Sequence, residues 1–390
     1  MISKKQYIII TPYFPSEFSH VGSYIYDQAK AINKTNDFAV KVIKVVSIFS
    51  KESDYIFNDI QVVIFKVIDF PFFIFPGVFN WFNSIRIRKF LEKKNIINNL
   101  YVVHAHVCYL AAYLANAINI ISRVKRIVQH HGIDALQLLN GRFGYIRRLQ
   151  YNFIKNRSIK QLNEMELNVS VSKRVENELH TFESYSPKNE YVLYNGVDRT
   201  KFYNMNLVKS TDFFYVGCIA NFWEIKDQIS LIQAIEILIK EGVTDIFLKL
   251  LGSGEKLDYC RRYVNDNNLT NYIHFEKERK HRDLNIFYNS LDLFVLPSYY
   301  EASACVLMEA WATDLPIISI KNQGFAELIP INEKKNLLAE KKSPISLKEK
   351  IFNEYQRNRI YPFDAKYDIK NTIHNFLLLD IFERDVERVI

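Results

Sequence analysis

The run Leu291-Asp292-Leu293-Phe294-Val295-Leu296-Pro297-Ser298-Tyr299-Tyr300-Glu301-Ala302-Ser303-Ala304-Cys305-Val306-Leu307-Met308-Glu309-Ala310 decides how this chain is read. Its first six residues are nearly all apolar, the pattern of a parallel strand buried on both faces. Pro297 and Ser298 close that strand. The Pro-free stretch Ala302–Thr313, rich in Ala, Leu and Met, predicts a helix. Glu301 then falls in the loop before the helix, and Glu309 lies about two turns inside it. Free backbone N–H groups and the positive dipole end at a helix start suit a phosphate. A carboxylate further in can accept two hydrogen bonds from a vicinal diol such as ribose. Taken alone, the run also fits a polar loop followed by a solvated helix face.

Outward from this run the same alternation recurs. Short apolar strands are predicted at Tyr7–Ile10, Val40–Val46, Val62–Val67, Tyr101–His104, Arg126–Gln129 and Leu167–Val171. A second series follows at Phe213–Gly217, Phe247–Leu251, Tyr272–Phe275, Leu293–Leu296 and Pro316–Ile320. Helical patterns lie between most of them, among them Gly22–Asn33, Val107–Asn119, Ile229–Lys240 and Leu284–Ser290, with a last one at Ile369–Glu387. Alternating β and α segments imply parallel sheets with helices on both faces. At 390 residues the chain suffices for two such domains, each with its own core. A hinge is expected near Asn195–Asn206, and ligands of such sheets bind beyond the carboxyl ends of the strands.

Composition narrows the class. A hydrophobic content of 48% belongs to a globular chain rather than a disordered one. Cys108, Cys218, Cys260 and Cys305 show no C-x-x-C spacing, which argues against a zinc site or a disulfide framework and fits a reducing cytoplasm. Lys4 and Lys5 precede only a brief apolar stretch, expected to be the first strand and not a signal peptide. No apolar run is long enough to span a bilayer. Charge is uneven. Residues 1–195 carry 25 Lys+Arg against 15 Asp+Glu, and residues 196–390 carry 26 against 28. One half therefore suits an anionic partner. No nucleic-acid motif accompanies the charge, so no nucleic-acid partner is expected.

Several short motifs share one order along the chain. Val103-His104-Ala105-His106 resembles "V-x-H-x-H", and His131-Gly132-Ile133-Asp134 resembles "H-G-x-D". Tyr191 to Asp198 with Phe202 resembles "V-x-x-N-G-V-D…F". Ile219 to Lys226 resembles "V-G-R-L-x-x-x-K", and Leu250 to Gly254 resembles "I-x-G-x-G". Asp314 to Ser319 resembles a "G-x-P-V-V" strand entry, and Asn322-Gln323-Gly324 with Glu327 resembles "G-G-x-x-E-x-V". Together with Glu301 and Glu309 they resemble the retaining glycosyltransferases of family four, group 1, whose fold is GT-B. That resemblance implies an α/β protein of two Rossmann-like domains facing across a cleft. The expected bounds are 1–198 for an acceptor-binding domain, 199–365 for a nucleotide-sugar-binding domain, and 366–390 for a C-terminal helix packing back on the first.

The resemblance also implies roles. Glu301 would touch the donor sugar and Glu309 the nucleotide ribose. Lys226 would neutralise the diphosphate leaving group without a metal. Asn221 stands where the family has arginine, so it can offer neutral hydrogen bonds but not a bidentate charged clamp. Ala302, Ser303 and Ala304 replace a Gly-aromatic-Gly stretch. Their N–H groups stay available for phosphate, while their Cβ atoms narrow the backbone's choices. Gly22 opens the helix after the first strand, where the family's loop reaches the donor phosphate. His131 would lie near donor sugar and acceptor, able to hydrogen-bond a hydroxyl. His104, His106 and Asp134 are placed in the acceptor cleft or in structural roles. The two alternating histidines find no carboxylate or cysteine nearby to complete a metal set.

The expected activity is retaining transfer of a hexose or N-acetylhexosamine from a nucleotide-diphosphate sugar to a glycan or lipid-linked acceptor. The donor is expected to be UDP- in preference to GDP-linked, with no metal and no other cofactor. The route expected is front-face attack, with the departing phosphate helping to deprotonate the acceptor. A covalent role for Glu301, as in retaining hydrolases, is rejected because the second carboxylate sits on a helix flank and does not face it across a sugar. A non-catalytic nucleotide-sugar-binding paralogue is the alternative, motivated by Asn221 and the missing glycines. The family's usual setting is bacterial surface-polysaccharide assembly, such as lipopolysaccharide or capsule. A final expectation concerns location. The aromatic stretch Phe70–Phe82 precedes Arg86, Arg88, Lys89, Lys93 and Lys94. A second basic segment carries Arg142, Arg147, Arg148, Lys155, Arg157 and Lys160. Apolar groups beside cations suit peripheral docking on an anionic membrane face from the cytoplasm. An aromatic stretch that simply fills a core would read alike.

Overall fold

The computed structural model describes residues 4–70, 77–118, 124–132, 147–209, 212–357 and 359–382. The chain divides into two compact units. Unit 1 comprises Met1–Tyr194 with Ile369–Ile390, and unit 2 comprises Asn195–Asp368.

Unit 1 is built on eight strands: β1 (Lys5–Thr11), β2 (Phe38–Ser47), β3 (Tyr55–Phe57), β4 (Ile60–Val67), β5 (Leu100–His106), β6 (Lys125–His130), β7 (Leu167–Ser170) and β8 (Glu190–Val192). They run in the order β3-β4-β2-β1-β5-β6-β7-β8. Every pairing is parallel except the β3–β4 hairpin. Asn58 turns that hairpin at φ 52, a left-handed conformation that asparagine tolerates. Successive strand residues face opposite sides of the sheet. Ile8 and Ile10 join one core with Ile43, Val63 and Val103. Tyr7 and Ile9 join the other with Val42, Val62 and Val102, and this second core also takes in Ile369, Ile373 and Phe376.

Unit 2 is a wholly parallel six-stranded sheet in the order β11-β10-β9-β12-β13-β14. Its strands are β9 (Phe214–Ile219), β10 (Ile246–Leu251), β11 (Ile273–Glu276), β12 (Leu293–Val295), β13 (Ile317–Ile320) and β14 (Leu338–Ala339). Reversal of strand order beside β9 places the loops after β9 and β12 next to each other. This is the arrangement that builds a crevice in doubly wound sheets.

Three elements differ from expectation. The helix predicted over Ala302–Thr313 runs only Cys305–Trp311, because Ala304 stays extended (φ −77, ψ 107). Glu309 therefore sits about one turn into the helix and not two. The pattern Val107–Asn119 is split between a wide turn at Cys108–Ala112 and a helix at Tyr113–Ala117, after Val107 takes φ 72. The last helical pattern holds as a helix over Ile369–Leu377 and gives way to a tight turn at Asp380–Phe382, and its remainder, residues 383–387, lies outside the described residues. Strands β3, β8 and β14 are two or three residues long, too short to show a period.

Candidate active site

In unit 2 the loops after β9, β10, β12 and β13 converge. The turn after β10 uses Gly252 and Gly254 at φ +147 and +144. A Cβ on Gly252 would lie 2.1 Å from the Ala220 carbonyl oxygen, and one on Gly254 would lie 2.7 Å from that of Phe222. Only glycines let this loop close on the 220–222 segment. The Ala220 and Phe222 N–H groups then donate to Leu251 O and Ser253 O. Asn221 is left exposed at the end of β9, and its carbonyl accepts from the Gln228 side chain at 3.1 Å.

A single turn, Glu224–Lys226, follows. The Tyr299 N–H donates to Ile225 O at 3.1 Å, which ties this turn to the loop after β12. The Lys226 ammonium pairs with Glu301 Oε1. The Glu301 backbone is itself clamped, its N–H donating to Gln323 Oε1 at 2.8 Å and its carbonyl accepting from Gly324 N–H at 3.2 Å. Ala302, Ser303 and Ala304 bridge from Glu301 to the helix, and none of the three needs a positive φ. The Asn195 side chain donates to Ser303 O at 3.3 Å. Thus the residues that replace the family's glycines are accommodated without left-handed strain.

Glu309 is buried. Its Oε1 accepts from His281 Nε2 at 3.0 Å and its Oε2 from the Tyr288 hydroxyl at 2.8 Å. Burial, and then the Glu309 charge, push the Tyr288 hydroxyl well above its ordinary value, so it remains a donor. Phe202 packs edge-on against both His281 and Tyr288, with centroids at 5.3 and 5.9 Å. Each carboxylate oxygen keeps a second acceptor site.

In unit 1, Gly22 takes φ 86 at the start of helix Ser23–Lys34. A Cβ there would stand 2.7 Å from Tyr13 O, so the loop after β1 requires glycine. That turn delivers the Tyr24 ring to His131, centroid to centroid 4.7 Å. His104 and His106 are fully buried along β5. His104 Nδ1 shares a 2.7 Å hydrogen bond with the Tyr7 hydroxyl, and His106 Nδ1 shares one of 2.8 Å with His131 Nε2. His130 turns inward to Asn168 at 3.1 Å. Burial is the chief cause holding His104 and His131 down to about 3, His130 down to about 4, and His106 well below the ordinary range. All four are neutral near pH 7. Asp134 lies outside the described residues.

The structure thus joins Lys226 to Glu301, and His106 to His131. The structure adds Gln323, His281, Tyr288 and Asn195 to the residues expected in the unit 2 site. Gln323 and Asn195 lie within motifs quoted above, whereas His281 and Tyr288 carry no sequence signal. Among the described residues no group of three His, Cys, Asp or Glu is arranged to hold a metal. No described helix is long and apolar enough to cross a membrane. Of the aromatic stretch 70–82, residues 71–76 lie outside the described part. Trp81, Phe82 and Ile85 are exposed on helix Asn80–Lys93, so this portion does not fill the core. In the second basic segment, Arg142 and the side chains of Arg147 and Arg148 lie outside the described part.

Two parallel-sheet α/β units with their loops gathered at the strand ends define a class, that of Rossmann-like proteins in pairs. Comparison with known proteins makes the class specific. The sequence matches the family "Glycosyltransferase Family 4" over residues 21–201 and the family "Glycosyl transferases group 1" over residues 201–357. The chain belongs to these glycosyltransferases and has the GT-B fold. It is 28% identical over 281 residues to the uncharacterized glycosyltransferase MJ1178 of Methanocaldococcus jannaschii, covering 71% of each chain. Its structure is similar to sucrose-phosphate synthase from Thermosynechococcus elongatus, with TM-score 0.68 at 15% identity over 95% of this chain and 94% of that one. It is also similar to Anabaena Alr3699/HepE in complex with UDP and glucose, with TM-score 0.66 at 16% identity over 95% and 97%. At these identities the structural likeness is one of fold.

Proposed function

We propose that this glycosyltransferase moves a hexose or N-acetylhexosamine from a nucleotide-diphosphate sugar to a glycan or lipid-linked acceptor, with retention and without a metal. The observation that carries the reading lies in unit 2, where a cation, Lys226, is paired with Glu301, and the helix that follows the Glu301 loop carries the buried, doubly held carboxylate of Glu309. Glu309 accepts from the ribose diol. Glu301 accepts from donor-sugar hydroxyls. Lys226 turns to the diphosphate as its charge develops, aided by Asn221 and the N–H groups of Ala302, Ser303 and Ala304. From unit 1, Gly22 is assigned to the donor phosphate and His131 to a sugar hydroxyl.

In the transfer, the bond from sugar C1 to the diphosphate oxygen breaks and a bond from C1 to the acceptor oxygen forms on the same face. The acceptor's proton leaves to the departing phosphate. A UDP-linked donor is favoured over a GDP-linked one, a choice supported by the fold relative that binds UDP and glucose. Assembly of a bacterial surface polysaccharide, at the cytoplasmic face of a membrane, is the setting proposed. The exposed Trp81, Phe82 and Ile85 beside Lys89 and Lys93 support docking there. The test is a panel of nucleotide sugars, scored for binding and for turnover with EDTA present. A UDP-sugar that binds and turns over under EDTA is expected. Binding confined to GDP-sugars, or strict dependence on Mg²⁺ or Mn²⁺, would overturn the corresponding part of the reading.

A further inference from the structure

The contact between His106 and His131 has a geometry that fixes more than proximity. The two ring planes lie within 14° of each other, the centroids are 5.1 Å apart, and His106 Nδ1 is 2.8 Å from His131 Nε2. Rings that meet edge to edge in one plane across such an N···N contact have this centroid separation. The pair is therefore an in-plane hydrogen bond and not a face-to-face stack. One ring donates its N–H into the lone pair of the other.

The direction of donation follows from the remaining nitrogen. His106 Nε2 is buried and, among the described residues, has no hydrogen-bond partner. A proton there would make a buried, orphaned N–H, which folded proteins avoid more strictly than a bare acceptor. The His106 proton therefore belongs on Nδ1, pointing at His131. His131 Nε2 must then be the unprotonated acceptor, and a neutral His131 carries its own proton on Nδ1. His104 supports the arrangement from the far side. Its ring lies 4.5 Å from that of His106, and its Nδ1 is anchored on the Tyr7 hydroxyl.

We propose that His106 is a positioning residue that locks His131 in the Nδ1–H tautomer. His131 then offers a neutral N–H donor and has no lone pair with which to accept a proton from the acceptor hydroxyl. That the donor meets a sugar rests on the function proposed above, whereas the tautomer does not. The consequence for the reaction is specific, because the acceptor's proton cannot leave through this imidazole, in keeping with the departure by way of the phosphate proposed above.

The test is a long-range ¹H–¹⁵N correlation spectrum of the full chain labelled with ¹⁵N-histidine, at pH 7.5 and without ligand. His131 is assigned by the signals that vanish in His131→Phe. A protonated Nδ1 with a bare Nε2 is expected for both His106 and His131. An Nε2–H pattern, or an imidazolium, at His131 would overturn the proposal. His106→Asn places an amide N–H near the position of Nδ1 and should preserve the His131 pattern. His106→Leu removes the donor and should release His131 to the Nε2–H form or to a mixture. An unchanged pattern in His106→Leu would also overturn the proposal. Should that variant not fold, the wild-type spectrum and His106→Asn still decide. Turnover separates the two layers of argument. If His131→Phe retains full kcat with the donor found in the panel, the sugar-facing role fails while the tautomer assignment stands.

Discussion

Lys226 and Glu301 stand 75 residues apart in the chain, and their side chains form an ion pair within unit 2. The pair is mostly shielded from water, with side-chain exposures of 19% and 14%. Before any ligand arrives, each charge has its counterion. In the function proposed above, an incoming diphosphate would compete with Glu301 for Lys226. A hydroxyl-bearing sugar would offer Glu301 replacement donors, so the exchange of partners would couple sugar recognition to phosphate neutralisation.

Lys226→Ala should lower kcat roughly 10²-fold, the scale of losing one strong donor to developing charge. The protein should still fold, with a stability loss of about 1–3 kcal/mol from stranding the Glu301 carboxylate. Steady-state kinetics and thermal unfolding check the split. A mutant with wild-type kcat would place leaving-group stabilisation elsewhere.

Glu309→Ala should weaken binding of the nucleoside diphosphate by about 2 kcal/mol, roughly 30-fold in Kd. Tyr288→Phe keeps the carboxylate and removes one of its orienting donors, so its loss should be smaller, about 1 kcal/mol. Calorimetric titration measures both. Equal affinity in Glu309→Ala and wild type would take Glu309 out of the site.

Gly252→Ala puts a methyl group 2.1 Å from a backbone oxygen at φ +147. The loop must shift, at a cost of about 1–3 kcal/mol, and Tm should fall by several degrees. Because the same loop sets the 220–222 segment, nucleotide affinity should fall with it. An unaltered melting curve would show that the loop has room the geometry denies.

Acid should destabilise unit 1. Chiefly by burial, His104, His130 and His131 are held down to about 3 or 4, and His106 well below its ordinary value, against 6.5 for a free imidazole. Below pH 6.5 the unfolded chain binds protons that the folded chain refuses, so stability is full above that pH and falls as pH drops toward 4. Urea unfolding at pH 7.5 and pH 5 should differ by several kcal/mol in total. Equal midpoints would mean that the buried imidazoles of His104, His106 and His130 reach solvent.

Vesicle co-sedimentation addresses the exposed face of helix Asn80–Lys93. Anionic vesicles should retain the protein at low salt and release it at high salt, with each nearby cation contributing about 1 kcal/mol. Lys89→Glu with Lys93→Glu should reduce retention, and so should Trp81→Ala. Equal, negligible retention on anionic and neutral vesicles would remove the membrane partner.

What the sequence determined by itself was whatever is local or periodic. Parallel strands buried on both faces are apolar throughout, so most of the two sheets, and with them the α/β class, could be read from runs such as Leu291–Leu296. The positions of Gly252 and Gly254 were legible for a related reason, since a sharp loop between strand and helix leaves a glycine signature. Helix ends were less legible. Nothing in the Ala-rich composition of residues 302–304 reveals that Asn195 and Gln323, distant in sequence, hold the loop extended and delay the helix to Cys305. The partners of the charged groups were decided by tertiary structure alone. His281 and Tyr288 reach Glu309 across 28 and 21 residues, and no period or motif encodes such a meeting. His104 and His106 alternate on β5 as sequence requires. Only the parallel pairing of β5 with β6 brings His131 alongside, because register across a sheet is set by the packing of whole faces and not by any single pair of residues.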